Sequence, residues 1–168
     1  MNLIVVVDNN WAIGANNDLL FRLPYDLTVN FKGKTLGKTI VVGSNTLKSF
    51  PHSRALPKRT NIVLCDTGET FDNCVMATSL QELFEILRDY DSEQIFVCGG
   101  ASVYKLLLPY CKVAYITKVN ASRIDATAFF PCLDTLTNWA NVEQSQPIID
   151  NGYEITFNKY FNNMPKQF

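Results

Sequence analysis

The chain of 168 residues has a single histidine, no CxxC pair among its five cysteines, almost no net charge and no long apolar run. His52 lies in a Pro-Ser-Arg loop with no Ser/His/Asp or Cys/His pattern around it, which removes a histidine-based hydrolase. An odd cysteine count (Cys65, Cys74, Cys98, Cys111, Cys132) with one imidazole argues against a disulfide framework and against a structural zinc site. No metal is expected. The longest apolar runs, such as Leu3 to Val7, stop far short of a membrane span, and Asp8 ends that run before a signal-peptide core forms. The expectation is a cytoplasmic protein that meets no membrane. A formal net charge of −1 supplies no basic stripe for phosphates, so nucleic acid is not expected as a partner. Any anionic ligand must be met by a few placed groups. Neither GxGxxG nor a P-loop pattern occurs.

Hydrophobic residues make up 47% of the chain and charged residues 18%, the balance of a folded globular protein with one core. Residues 1–168 read as one domain, and nothing demands more than a monomer. Strand-sized β-branched runs recur at Leu3 to Val7, Thr39 to Val42, Asn61 to Leu64, Ile95 to Cys98 and Val113 to Val119. Their near-continuous hydrophobicity suits strands covered on both faces. Between them, Ser79 to Tyr90 repeats Leu80, Leu83, Phe84 and Leu87 at helical spacing behind a Ser79 cap with Glu82 three residues on. Tyr153 to Tyr160 alternates polar with apolar residues, as an antiparallel edge strand does. The fold class is therefore α/β: a mainly parallel central sheet, an antiparallel C-terminal edge strand, and helices on both faces.

Two stretches share one design. Ile95 to Cys98 runs into Gly99-Gly100-Ala101-Ser102 and a helical pattern, and Ile40 to Val42 runs into Gly43-Ser44-Asn45-Thr46 and another. Free N–H groups gather at such a turn, and glycine allows close approach, so each turn can hold a phosphate. Alone, either is ordinary architecture; together they suggest a dinucleotide across the carboxyl ends of neighbouring strands. In Leu23-Pro24-Tyr25-Asp26-Leu27, Pro24 can start a helix with Asp26 in its first turn, where a carboxylate commonly does no more than meet the helix dipole. The apolar neighbours Leu19, Leu20, Phe21 and Leu27 give it a second reading, a raised carboxyl that grips an amidine-like heterocycle edge. Arg59, leading into a strand, reads as a solvated surface charge or as a fork for a ligand carboxylate. Cys65 and Cys98, at strand ends, read as small core hydrophobes.

In order, Ala12-Ile13-Gly14, Leu23 to Leu27, Thr35-Leu36-Gly37-Lys38, Gly43-x-x-Thr46 with Ser49-Phe50-Pro51, Leu56-Pro57-x-Arg59-x-Asn61 to Leu64, Gly99-Gly100-Ala101-x-Val103-Tyr104 and Tyr115-Ile116-Thr117 resemble dihydrofolate reductase over nearly the whole chain. The resemblance implies a bacterial chromosomal-type enzyme reducing 7,8-dihydrofolate with hydride from NADPH. It implies Asp26 and Thr117 as catalytic residues, and Arg59 as the partner of the glutamate-tail carboxylate. Val5, Val6, Phe21, Asn30, Phe31, Phe50, Leu56 and Cys98 would line the pterin pocket. The dinucleotide would lie on Val6, Ile13, Gly14, Leu19, Gly43, Ser44, Asn45, Thr46, Leu64, Cys65, Asp66, Cys98, Gly99, Gly100, Ala101, Ser102, Val103 and Tyr104. Gly99-Gly100 matches a family cis peptide, and Ala12 to Leu20 resembles a loop that closes over nicotinamide.

Three departures from the family pattern stand out. Ser44 and Ser102 replace basic residues, and Asp66 would repel a 2′-phosphate, so NADH is an alternative to NADPH. One residue more than usual separates Asp26 from Thr35, so a helix bulge is expected and either Asn30 or Phe31 takes the aromatic pocket position. Thr127 stands where the family commonly carries an acid, with Asp125 two positions earlier, which bears on loop closure. The competing readings are a related pterin or flavin-precursor reductase, and a catalytically silent folate- or nucleotide-binding relative.

Overall fold

A computed structural model describes residues 1–168. The chain opens with β1 (Asn2–Val7), then a hairpin of β2 (Ala12–Ala15) and β3 (Asp18–Leu19). A π-helical segment, Asp26–Phe31, runs directly into α1 (Lys32–Thr35). β4 (Thr39–Gly43) leads into α2 (Ser44–Ser49), followed by β5 (Thr60–Leu64), β6 (Cys74–Ala77) and α3 (Leu80–Leu87). β7 (Ile95–Gly99), α4 (Ala101–Leu107), β8 (Val113–Val119) and β9 (Ala128–Phe129) come next. β10 (Trp139–Gln144), β11 (Ile148–Asp150) and β12 (Tyr153–Asn162) end the chain. No helix is long and apolar enough to cross a membrane.

Nine strands form the main sheet in the order β10-β12-β8-β1-β7-β4-β5-β6, with β11 also paired to β12. The pairings from β8 to β6 are parallel, and β12 is antiparallel to β8, β10 and β11. The fold class expected from the strand and helix pattern is thus present, with its antiparallel side wider than expected. Tyr153–Asn162 does not itself form the edge, because β10 pairs outside it. β10 was illegible because Asn141 to Gln144 are all exposed and polar or isolated, leaving no buried stripe to read.

Alternation along the parallel strands explains their unbroken hydrophobicity. Leu3, Val5 and Val7 of β1, Val41 of β4, and Ile95 and Val97 of β7 join Leu83, Leu87, Val103 and Leu107 in the larger core. Ile4, Ile40 and Phe96 turn to the other face, where Phe31, Phe50, Leu56, Cys98 and Tyr115 pack on them. Ser79 caps α3 as expected, accepting from the Glu82 N–H at 3.1 Å, but the Glu82 carboxylate turns back to the N–H and hydroxyl of Thr78. Where β4 meets β7, Val41 pairs with Val97 and Val42 with Gly99, so Cys98 is the extra residue of a bulge. The peptide bond that follows, Gly99-Gly100, is cis.

The core on the α3 side is filled without exposed atoms at Leu83. Leu83→Ala is expected to destabilise the fold by about 2–5 kcal/mol in urea denaturation, with KM values for any ligand of the opposite face unchanged.

Candidate active site

β1 lies between β8 and β7, and the chain leaves it for β4 before returning, so the strand order reverses beside β1. In parallel α/β sheets a cleft opens at the carboxyl ends there. Val5 and Val6 lie just before the end of β1 at Val7, Gly43 ends β4, Leu64 ends β5, Cys98 and Gly99 end β7, and Val6 is in register with Thr117 of β8. The topology therefore gathers strand ends that are up to 112 residues apart in sequence into one place.

Asp26 sits at one wall of this cleft and is 7% exposed. Its Oδ1 accepts the Thr117 hydroxyl at 2.6 Å and the Asn30 amide at 3.0 Å, and that amide also reaches Thr117 Oγ1 at 3.2 Å. Burial raises the carboxyl above its usual range, Thr117 and Asn30 oppose that rise, and the nearby Asp150 carboxylate adds to it. Asp150, from β11, accepts the backbone N–H groups of Tyr25 at 3.2 Å and Asp26 at 2.9 Å. It acts as a helix cap supplied by a distant strand, satisfying donors that no local side chain meets.

The expected bulge is the π-helical segment itself, and it accommodates both open candidates at once. Asn30 joins the Asp26 carboxylate, while Phe31 packs with Phe50, Leu56 and Cys98 on the Ile4-Ile40-Phe96 cluster. Arg59 is half-buried beside that cluster, its guanidinium 5.8 Å from the Phe31 ring centre. Nε donates to Thr35 Oγ1 at 2.8 Å and Nη1 to the Pro57 carbonyl at 2.9 Å, and burial lowers the guanidinium's pKa. Two anchors fix the fork and leave Nη2 without a protein partner. Phe21 lies farther off, buried against Tyr153 with ring centres 4.9 Å apart.

On the opposite wall the two glycine turns meet. A Cβ on Gly99 or Gly100 would stand 3.2 or 3.1 Å from Thr46 Oγ1, and one on Gly43 would stand 3.1 Å from Val103 Cγ2. The turns are cradles that any side chain would fill. Ala101 opens α4, with Ser102 exposed after it; Ser44 and the exposed Asn45 open α2. Tyr104 is buried beneath the turn, donating to the Ile4 carbonyl at 2.6 Å, so it supports the cradle rather than offering it a donor. Beyond β5, Cys65 Sγ lies 3.1 Å from the Thr67 hydroxyl, and Asp66 is exposed.

Ala12 to Leu20 supplies β2 and β3 of a small sheet that β9, from Ala128–Phe129, completes. Ile13 is half-buried, Gly14 is closed in by the Asp18 carbonyl, and Leu19 is exposed at the rim. Thr127 takes the place of an acid with a neutral bond, its hydroxyl accepting the Asn16 N–H at 3.0 Å while its own N–H donates to the Gly14 carbonyl at 2.9 Å. Arg123 reaches the Leu20 carbonyl at 2.7 Å from the same side.

A cleft with one buried carboxylate, a threonine partner, a poised arginine and paired glycine turns agrees with what comparison finds. The family model described as dihydrofolate reductase matches residues 1–162. The chain belongs to the dihydrofolate reductase family. Among curated members, the dihydrofolate reductase of Bacillus subtilis (strain 168) is 35% identical over 163 residues, covering 95% of this chain and 93% of its own. That of Staphylococcus haemolyticus is 32% identical over 163 residues, covering 95% and 94%. A solved dihydrofolate reductase from Enterococcus faecalis, complexed with NADP(H) and RAB-propyl, superposes with a TM-score of 0.84 at 30% identity, covering 96% of this chain and 95% of that one.

Sequence reasoning missed Asp150, Thr35 and Arg123. Asp150 caps a helix from 124 residues away, and no local pattern records such a contact. In this family member, Asp150→Ala is expected to destabilise the fold by about 1–3 kcal/mol in urea denaturation, because two N–H groups, that of Asp26 buried and that of Tyr25 part-buried, lose their acceptor.

Proposed function

We propose that the chain reduces 7,8-dihydrofolate to tetrahydrofolate, with NADPH as the hydride donor and Asp26, Thr117 and Arg59 as the principal side chains. The observation that carries this reading is the buried Asp26-Thr117 pair at the sheet's carboxyl edge, opposite the glycine turns. Asp26 binds the pterin's 2-amino group and ring N3, and its negative charge favours protonation at N5, with water as the immediate proton source. Thr117 holds the carboxylate in place. Phe31, Phe50 and Leu56 stack around the ring in the apolar cluster they share, and Arg59 takes the α-carboxylate of the glutamate tail. The dinucleotide fits the cradle that a Cβ at Gly43, Gly99 or Gly100 would fill, and when bound it supplies the hydride, from nicotinamide C4 to pterin C6. Gly43 to Thr46 and Gly99 to Ser102 offer backbone N–H groups to its phosphates, and Val6, Ile13, Gly14 and Leu19 border its nicotinamide end. Closing residues 12–20 over the cleft excludes water from the transfer. The same reading takes residues 1–168 as one domain working as a cytoplasmic monomer.

Loss of reduced-nicotinamide absorbance on mixing the protein with dihydrofolate and NADPH or NADH tests the activity; no turnover with either cofactor overturns it. Asp26→Asn is expected to lower turnover by about 100-fold at neutral pH, and much less at acid pH, where the substrate arrives already protonated. The sign for stability is opposite. A carboxyl raised in the folded state is penalised for ionising, so that cost is full above the folded midpoint and fades as the pH falls from there to the lower, unfolded midpoint. Asp26→Asn is therefore expected to melt no lower than the parent at pH 8, despite its loss of activity.

A second reading, NADH, is favoured by one observation: exposed Asp66 follows the end of β5, where the 2′-phosphate would approach. Lys48 is already paired with Glu69 at 2.7 Å. The preference for NADPH over NADH in kcat/KM is expected to be modest, below about 100-fold, and Asp66→Ser is expected to raise it about tenfold by removing a like charge. A higher kcat/KM with NADH would replace NADPH as the assigned cofactor.

A further inference from the structure

Asn30 is the one side-chain donor to the Asp26 carboxylate to which the proposed chemistry gives no task. It is half-buried on the π-helical segment, four residues after Asp26, and its amide touches both members of the Asp26-Thr117 pair. The direction of these bonds is fixed by the groups present. The Thr117 hydroxyl has one proton, given to Asp26 Oδ1 at 2.6 Å, so Thr117 Oγ1 can only accept from Asn30. The Asp26 carboxylate also accepts. The Asn30 group facing them must therefore be the NH2 and not the carbonyl, with both of its protons in use. Helix and β8 thus close a three-membered ring of hydrogen bonds on Oδ1. Asp26 Oδ2 has no protein partner and is not sealed from solvent, since no buried side-chain oxygen is left unpaired.

The backbone explains how this donor arrives without displacing the aromatic beside it. In an α-helix the turn closes on the fourth residue, whereas a π turn closes on the fifth. Here the extra residue widens one turn, so Asn30 meets the carboxylate while Phe31, next along, still reaches the Ile4-Ile40-Phe96 cluster. A regular helix would turn residue 31 away from the face that Asp26 occupies.

We propose that Asn30 is a positioning residue of the pterin pocket: by donating to Asp26 Oδ1 and to Thr117 Oγ1 it locks the carboxylate's rotation and keeps Oδ2 turned to the ligand. It acts through Asp26 rather than on the substrate. The Asn30 bond to Oδ1, with that of Thr117, favours the ionised carboxylate against burial and against Asp150, the charged group that faces it from β11. The other titratable groups around it stay neutral, Tyr104 of α4 and Cys98 of β7 both being held protonated by burial. Arg59, the nearby cation, is anchored to Thr35 and Pro57. Asn30 is thus the second neutral donor that maintains a negative charge in the pocket.

The inference rests on the reading of Asp26 as the pterin carboxylate, and it can be tested without turnover. Protein labelled with 13C at the aspartate carboxyls is titrated by NMR, and the Asp26 signal is assigned from Asp26→Asn. In Asn30→Leu, close in volume but without a donor, the Asp26 midpoint is expected to rise by about one pH unit, the size of one lost hydrogen bond to a charged group. The pH profile of kcat/KM for dihydrofolate is expected to move the same way, and Asn30→Gln, which keeps the amide, to restore part of the shift. An unmoved Asp26 midpoint in a folded Asn30→Leu protein overturns the proposal. Should leucine prevent folding, Asn30→Ala is titrated with the same expectation. A midpoint that rises in a protein unable to reduce dihydrofolate supports the role of Asn30 and sinks the reductase reading instead.

Discussion

The site depends on how one buried carboxylate is compensated where water is scarce. An uncompensated buried charge costs several kcal/mol, and proteins usually meet it with an opposite charge or let it take up a proton. Asp26 is met instead by neutral donors, the Thr117 hydroxyl and the Asn30 amide, while the charge nearest it, Asp150, has its own sign. A lysine or arginine in that position would satisfy the carboxylate fully and leave it nothing to offer a ligand. Neutral donors orient the group and leave its net charge unspent, which suits recognition of a heterocycle edge rich in N–H groups.

The two walls of the cleft use different materials. The wall of Asp26, Arg59 and the Phe31-Phe50-Leu56 cluster works through side chains, each anchored by another: Thr117 for Asp26, Thr35 for Arg59. The facing wall is backbone, with glycine turns that have no room for side chains and a bulge at Cys98 that ends the regular pairing of β4 with β7. Backbone N–H groups can bind phosphates without sequence cost, so Ser44 and Ser102 in place of basic residues do not by themselves remove a dinucleotide from the proposed reading. Asp66 stands exposed beyond the end of β5.

The parallel strands were legible because burial on both faces writes itself as unbroken β-branched runs, and the Ser79 cap because its contact is local. Asp26, Thr117 and the glycine turns were legible through their ordered spacing. The extra residue after Asp26 announced a bulge, but whether Asn30 or Phe31 used it depended on hydrogen bonds to β8 that spacing does not encode. β10 escaped because its outward residues carry no apolar stripe, and Asp150 because nothing near it in sequence distinguishes it from a surface acid.

Asp150 also imposes an order on how the site is made. The strand that completes the Asp26 helix is synthesised 124 residues after the carboxylate it steadies. A growing chain can assemble β1, β4, β5 and β7 while the Asp26 helix still has open backbone donors, and these are capped only once β11 and β12 have paired. The Asp26 helix thereby lacks its cap until β11 has paired.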